Sequence, residues 1–202
     1  MRLKPPKFIR WLMPDLIWEM KDRSAVYLTF DDGPTPGITE WILSTLDKYD
    51  AKATFFVLGK NAEMYPDLYR RILDAGHRIG NHTYSHQKGW GMSLERYIED
   101  VDFANDLLHT ELFRPPYARI TPAQARALAK RYKLVMWDVL SRDYNRALSP
   151  RTCLRNVTRY LEDGSIVVFH DSEKSFRNMS YALPRTLQAV RDMGLKCKAI
   201  DL

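Results

Sequence analysis

The chain has 202 residues, 45% hydrophobic and 28% charged, and a formal net charge of +6 from 31 basic and 25 acidic residues, which describes one globular domain with a sizeable core. The positive charge is scattered, without the basic stripe and interleaved aromatics of a nucleic-acid-binding module, so we expect no nucleic-acid partner. The two cysteines imply no disulfide framework, and no run of about 18 apolar residues predicts a membrane-spanning helix.

Residues 1–24 differ in character from the rest of the chain. They combine aromatic and aliphatic residues with a local basic cluster at Arg2, Lys4, Lys7 and Arg10. Such a segment suits either a helix lying on a membrane surface or an extension that packs on the domain. Pro14 interrupts a helix, so we favour the packing extension. We detect no cleavable secretory signal, and therefore expect a protein that is cytoplasmic or peripheral to the membrane.

From residue 25 onward, apolar strand-like runs alternate with helical periodicity. The predicted strands are 25–30, 53–59, 76–81, 112–114, 134–137, 165–169 and 195–200. The predicted helices are 38–46, 65–74, one beginning after Ser93, one after Thr121, one after Ser149, and 183–193. This alternation predicts an α/β fold, a distorted parallel (β/α) barrel of about seven strands spanning residues 25–202. The alternative is an open doubly wound sheet.

Two adjacent carboxylates, Asp31 and Asp32, stand at the C-terminal end of the first predicted strand, directly before Gly33-Pro34. At a strand terminus the chain leaves the pleat, so both side chains can reach one site. Two ionised carboxylates so close together are costly unless a cation lies nearby. Taken alone, the segment is more typical of a turn in which aspartate caps backbone amides, and the rest of the sequence reverses that preference.

Two histidines, His82 and His86, follow the third predicted strand four residues apart. On a helical turn this spacing places both rings on one face, as a metal ion requires. A single such pair occurs by chance in many proteins, but here two of the five histidines lie in this pentapeptide and a third, His170, ends the sixth predicted strand. With Asp32 the pair forms a two-nitrogen, one-oxygen set that leaves coordination positions open, which suits a catalytic divalent ion.

Further charged or titratable residues lie at or just after the ends of other predicted strands. Arg114 and Tyr117 follow the fourth strand, Asp143 follows the fifth, and His170-Asp171 end the sixth. Each could be an ordinary surface or turn residue. Their recurrence at successive strand ends is better explained by one shared pocket at the mouth of a barrel.

These segments resemble the five motifs of the polysaccharide deacetylases of the NodB-homology type, carbohydrate esterase family 4, over about residues 25–202. The motifs are Thr29-Phe30-Asp31-Asp32, His82-Thr83-Tyr84-Ser85-His86, Arg114-Pro115-Pro116-Tyr117, the region of Asp143, and Val168-Phe169-His170. The resemblance implies that Asp32, His82 and His86 bind a divalent metal, most typically zinc, with cobalt, nickel or manganese as alternatives. It further implies roles for five residues around the metal. These are Asp31 as catalytic base, Arg114 as its partner, the backbone amide of Tyr117 as oxyanion donor, His170 as general acid, and Asp143 as the residue that orients His170.

The fourth motif departs from the family pattern. Leu140 stands where relatives have an acid, and Tyr144 stands where they have a tryptophan that helps line the sugar groove. These departures affect substrate fit more than the chemistry. Arg119, two residues after Tyr117, is either a contact for an anionic glycan or a solvated loop residue.

We therefore predict a monomeric hydrolase acting on carbon-nitrogen bonds. It would remove N-acetyl groups from an N-acetylated amino sugar in an oligo- or polysaccharide and release acetate. Two alternatives stay open: a metal-dependent hydrolase of another amide or imide, and a glycan-binding relative that has lost catalysis. Retention of every proposed catalytic and metal residue disfavours the second.

Overall fold

The computed structural model describes residues 15–202, and within this range the backbone forms nine strands. All seven predicted strands are present, and two short strands, β1 and β7, join them. The strands are β1 (Leu16–Ile17), β2 (Ala25–Asp31), β3 (Thr54–Val57), β4 (Arg78–Asn81), β5 (Leu112–Phe113), β6 (Lys133–Val135), β7 (Val139–Leu140), β8 (Ile166–His170) and β9 (Lys196–Cys197).

The strands pair in the order β1-β6-β5-β4-β3-β2-β8-β7, and every ladder is parallel. The last strand, β9, pairs with the start of β2. Within residues 15–202 no ladder joins β7 to β1 or β6, so the sheet curls into an incomplete barrel. The predicted parallel barrel is confirmed, and all strand C-terminal ends meet at one mouth.

Helices connect the strands and cover the outside of the sheet. They are α1 (Ile38–Asp47), α2 (Gly59–Met64), α3 (Pro66–Asp74), α4 (Leu94–Leu108), α5 (Pro122–Leu128), α6 (Pro150–Thr158) and α7 (Glu173–Asp192), with a 3-10 turn at Pro116–Ala118. The predicted caps are confirmed, since the hydroxyls of Ser93, Thr121 and Ser149 accept hydrogen bonds from the first turns of α4, α5 and α6. Proline at the first position of α5 and α6 has no N–H to leave unpaired.

Two sequence predictions about helices need correction. The last helix begins at Glu173 and not near Leu183, and Pro184 lies inside it. Proline normally interrupts a helix, but the apolar face of α7 packs on the sheet and outweighs that cost. The sequence of α4 also predicts an apolar face that includes Leu94 and Leu107, but these side chains are 36% and 38% exposed, so that face is only partly buried.

Alternation along β2 decides which side chains enter the barrel. Val26, Leu28 and Phe30 join the core between sheet and helices. Ala25 and Tyr27 belong to the second core cluster, which includes the barrel interior. Asp31 continues the register of Ala25 and Tyr27, so it points into the barrel at its upper end.

The part of the N-terminal extension that the structure describes packs on the domain. Leu16 and Ile17 form β1 against β6, and Met20 is buried and its N–H donates to the carbonyl of Gly164. The basic cluster and the apolar residues Trp11 to Met13 lie outside the described residues. In residues 15–202 no helix combines the length and the apolar composition that a membrane crossing needs.

Candidate active site

A cavity of about 650 Å³ opens at the C-terminal ends of the strands. The predicted residues Asp31, Asp32, His82, His86 and His170 all line it. Loops after β2, β4, β5, β7 and β8 contribute to its wall, as the parallel topology requires. Segments distant along the chain therefore converge on one pocket.

Asp31, which lines the cavity, forms a buried ion pair with Arg114. The Arg114 NH1 group lies 2.6 Å from Asp31 Oδ1 and donates a second hydrogen bond to the hydroxyl of Thr29 at 2.7 Å. Its remaining nitrogens donate to the carbonyls of Val135 and Met136. Removing an unpaired guanidinium from water is costly, and these four hydrogen bonds offset the cost. Arg114 therefore fixes the orientation of the Asp31 carboxylate.

Asp32, His82 and His86 form a cluster beside this pair. Their ligand-type atoms all lie within 4.8 Å of one another. Oδ1 of Asp32 is 3.2 Å from Nε2 of His86 and 3.8 Å from Nε2 of His82, whereas Oδ2 of Asp31 is 4.0 Å from Nε2 of His82. Asp32 has a positive φ of 86°, which turns its side chain out of the strand direction toward the rings. The predicted convergence of the three residues is confirmed as geometry.

The segment from His82 to His86 is an irregular loop, so the predicted helical turn is wrong. Side chains hold its backbone in place of helical hydrogen bonds. Asn81 accepts from the N–H of Thr83, and Asp100 accepts from the N–H of the two following residues. Both Thr83 and His86 have positive φ, which no helical turn allows. The rings come together through loop geometry and not through helical spacing.

The cluster fits a divalent metal ion. Nδ1 of His82 donates to the carbonyl oxygen of Arg114 at 2.7 Å, which leaves the lone pair of Nε2 facing the cluster. Burial lowers the pKa of His82 to about 4, so this ring is neutral as a metal ligand must be. Oδ1 of Asp32 is buried and has no hydrogen-bond partner, as expected of an oxygen that faces a cation.

The charge of Asp32 agrees with this fit. Burial alone raises the pKa of its carboxyl, but the neighbouring imidazoles of His86, His170 and His82 outweigh burial and hold the pKa below the ordinary value. Asp32 is therefore ionised at neutral pH. One carboxylate oxygen and two imidazole nitrogens with open positions suit zinc or a similar catalytic ion.

His170 and Asp143 form a second buried pair on the other side of the pocket. Nδ1 of His170 donates to Oδ1 of Asp143 at 2.7 Å, and the backbone N–H of His170 donates to Oδ2 at the same distance. Burial lowers the pKa of His170, but Asp143, Asp32 and Asp31 outweigh burial and raise it to about 9. Its ring is thus protonated at neutral pH. Asp143 follows β7, whereas the sequence placed it after the strand at 134–137.

Tyr117 stands in the 3-10 turn after β5 with φ of 59° and is 56% exposed. Its N–H lies in the first turn, where helical N–H groups have no intrahelical acceptor. The sequence pointed only to this amide, but the structure also places the Tyr117 hydroxyl 3.2 Å from Nδ1 of His86.

Asp171 does not line the cavity. It is buried beneath the loop after β2, where it accepts a hydrogen bond from Thr39.

Sequence reasoning missed Trp90, an exposed aromatic residue that lines the cavity from the loop after the histidines. Its position between Gly89 and Gly91 was the available signal, because an aromatic residue in a glycine-flanked loop has few neighbours to bury it. Tyr144 also lines the cavity and meets the His170 ring edge to face, with centroids 5.0 Å apart.

Comparisons with known proteins agree with this arrangement. The family described as Polysaccharide deacetylase matches residues 19–137. A peptidoglycan-N-acetylglucosamine deacetylase of Bacillus cereus is 36% identical over 158 residues, which are 75% of this chain and 57% of the relative. The peptidoglycan-N-acetylmuramic acid deacetylase PdaC of Bacillus subtilis is 31% identical over 186 residues, 89% of this chain and 38% of the relative. The chain thus spans about half the length of these two relatives or less.

Among solved structures, a crystal structure of a peptidoglycan N-acetylglucosamine deacetylase superimposes with a TM-score of 0.88 at 29% sequence identity. The superposition covers 97% of this chain and 95% of that one. The likeness therefore includes the whole sheet and its mouth.

Proposed function

This chain belongs to the polysaccharide deacetylase family, and we propose that it is a metal-dependent N-deacetylase of an N-acetylated glycan. One observation carries the proposal. Oδ1 of Asp32 lies buried without a hydrogen-bond partner between the Nε2 atoms of two histidines, with Asp31 on one side and His170 lining the same cavity. A carboxylate base and a protonated imidazole facing one metal site are the groups that amide hydrolysis needs.

Asp32, His82 and His86 would hold the ion, which we propose to be zinc, with cobalt, nickel or manganese as alternatives. When bound, such an ion supplies Lewis-acid activation of water and of a carbonyl group. Asp31 then accepts a proton from the attacking water, because its Oδ2 faces the cluster while Arg114 holds its Oδ1. Arg114 keeps this carboxylate oriented throughout.

Tyr117 and His170 act on the carbonyl oxygen and on the leaving nitrogen of the acetamide. As water adds to the acetamide carbonyl, negative charge develops on the carbonyl oxygen, and the N–H of Tyr117 donates to it. One such donor typically contributes about 3 kcal/mol. The C–N bond breaks as His170 transfers its proton to the nitrogen, which leaves as an amine while acetate forms. Asp143 holds Nδ1 of His170, so that Nε2 is the nitrogen that gives up the proton.

The substrate proposal follows from the relatives. Those described above are named for peptidoglycan N-acetylglucosamine and N-acetylmuramic acid, so peptidoglycan fragments are the first substrates to test here. A rival within the same chemistry is a hydrolase of small amides or imides. The open cavity of about 650 Å³, lined by Trp90 and Tyr144, favours a sugar chain over a small compact substrate.

We propose that residues 25–202 form the catalytic domain, with residues 1–24 as an extension packed on it, and that the protein acts as a monomer.

Acetate release tests the proposal. The wild type, loaded with zinc, should release acetate from chitooligosaccharides or peptidoglycan fragments and leave small cyclic imides intact. Asp31→Asn should bind zinc with nearly the wild-type affinity yet lose at least about a hundredfold in kcat, because general-base catalysis contributes on that order. Near-normal turnover by Asp31→Asn would remove the base assignment. Hydrolysis of a cyclic imide opens its ring without releasing acetate, so it is followed by mass spectrometry of the ring-opened product. Ring opening of imides without acetate release from any glycan would replace the glycan by the rival substrate.

A further inference from the structure

Resting on the proposed function, we infer that this cleft selects a glycan with anionic groups near the reacting acetamide. We assign their recognition to Arg119 and Lys174. Both side chains are exposed and both line the cavity that contains the metal cluster. Neither belongs to the proposed catalytic or metal-binding set, so both are specificity-determining residues.

Arg119 forms a cation–π contact with Trp90. Its Cζ lies 5.4 Å from the centre of the Trp90 ring, which is 57% exposed. An exposed indole is costly in water, and a sugar ring laid on it would cover that surface. The guanidinium beside the ring would then meet a substituent of the same sugar. Guanidinium groups match carboxylate and sulfate geometry with paired hydrogen bonds.

Hydrogen bonds between two loops hold this pair in place. The N–H of Gly89 donates to the carbonyl of Arg119 at 2.8 Å, and Nε1 of Trp90 donates to the carbonyl of Ile120 at 3.3 Å. The side-chain amide of Gln124 donates to the carbonyl of Gly89. These bonds fix the backbone on which the pair stands, and a preorganised binding surface gains affinity because less freedom is lost on binding.

Lys174 forms a second pair with Tyr144. Its Nζ lies 5.8 Å from the centre of the Tyr144 ring. Tyr144 follows β7 and Lys174 follows β8, whereas Trp90 and Arg119 follow β4 and β5. In the sheet order these two groups of loops lie on opposite sides of β2, which carries Asp31. One cation therefore stands on each side of the metal cluster.

The charges of the cleft support an anionic ligand. Within residues 15–202 neither Arg119 nor Lys174 forms an ion pair with a carboxylate. Of the two aspartates that line the cavity, Asp31 pairs with Arg114, and Asp32 faces the two histidines with which it would bind the metal. A neutral glycan would leave both cations unused. A glycan with carboxylate or sulfate groups on flanking sugars would pair with them.

Ligand binding in the inactive Asp31→Asn background tests this inference independently of turnover. Calorimetry would compare three oligosaccharides of equal length: a neutral chitooligosaccharide, a carboxylate-bearing peptidoglycan fragment and an O-sulfated chitooligosaccharide. Adding Arg119→Gln or Lys174→Gln should weaken binding of an anionic ligand about three- to fivefold, the effect of a partly exposed ion pair. Binding of the neutral ligand should stay within twofold. Arg126→Gln is the matched control, because Arg126 is exposed on α5 and does not line the cavity.

Each possible result either supports or overturns the inference that Arg119 and Lys174 recognise anionic groups. Weaker binding of either anionic ligand, lost at high salt where exposed charges are screened, supports the inference, and the responding ligand identifies carboxylate or sulfate. Equal weakening of all three ligands, or no weakening of any, overturns it. In the active enzyme the same substitutions should raise KM for the anionic substrate with kcat unchanged. Absence of acetate release from every glycan would refute the proposed function, while the binding comparison would still decide this inference.

Discussion

Replacing Asp143 by asparagine removes the charge that pairs with His170 while keeping the shape of the side chain. In the metal-free protein the pKa of His170 is raised from 6.5 to about 9 against the opposing effect of burial, and Asp143 is the largest of the raising influences. A rise of this size corresponds to about 3 kcal/mol of folding stability. Because Asp32 and Asp31 also raise this pKa, the variant should lose part of that amount.

The sign of the pH dependence follows from the direction of the change. A histidine with a raised pKa in the folded state contributes its full stability below the unfolded value of 6.5 and loses it as pH rises through about 9. The stability difference between wild type and Asp143→Asn should therefore be greatest near pH 6, fall between about pH 6.5 and 9, and be smallest at pH 10.

Urea denaturation of the metal-free proteins at pH 6, 8 and 10 measures this difference, and NMR titration of the His170 ring measures the pKa directly. Asp106 is exposed on α4, and Asp106→Asn serves as the matched control for the loss of one negative charge elsewhere. A difference that is constant with pH, or that grows toward pH 10, would refute the reasoning.

Three further predictions concern the packing around the site. Arg114→Lys should lower stability by about 2–4 kcal/mol in urea denaturation, because an ammonium cannot make the four hydrogen bonds of the buried guanidinium; a loss under about 0.5 kcal/mol would contradict this. Gly80→Ala should cost about 1–3 kcal/mol, since its Cβ would overlap the Phe56 ring, and unchanged thermal unfolding would count against the packing described. Tyr117→Phe should weaken zinc affinity about tenfold by removing the hydroxyl beside His86, yet keep kcat at saturating zinc, because the proposed oxyanion donor is a backbone N–H.

The sheet and most helices were predictable because their signals are local. Continuous apolar runs such as 25–30 and 165–169 indicate buried parallel strands, and Ser or Thr before Pro indicates a helix start. The two-residue strands β1 and β7 gave no signal, because so short a run has no period of its own. The true start of α7 was hidden by Pro184, whose penalty is overridden by packing that only the folded structure shows.

The convergence of the proposed metal-binding residues was predictable from residue types, but the backbone conformation that brings them together was not. His82 and His86 are four residues apart, which suggested a helical turn. In the structure, hydrogen bonds to the side chains of Asn81 and Asp100 hold an irregular loop there. The bonds to Asp100 join residues 15 and 16 positions apart along the chain, and contacts at that separation leave no periodic pattern in the sequence. The Tyr117 hydroxyl near His86 was missed for the same reason, as it depends on the loops after β4 and β5 meeting.

The central claim is that Asp32, His82 and His86 hold one divalent ion on which acetate release depends. Titration of the metal-free protein with zinc, with acetate release recorded at each point, tests it directly. We expect one ion per chain and activity that rises with its occupancy. His86→Ala should fold as the wild type does while its zinc affinity falls by well over about an order of magnitude, since a ligand is lost. Full activity without metal, or unchanged zinc affinity in His86→Ala, would contradict the account.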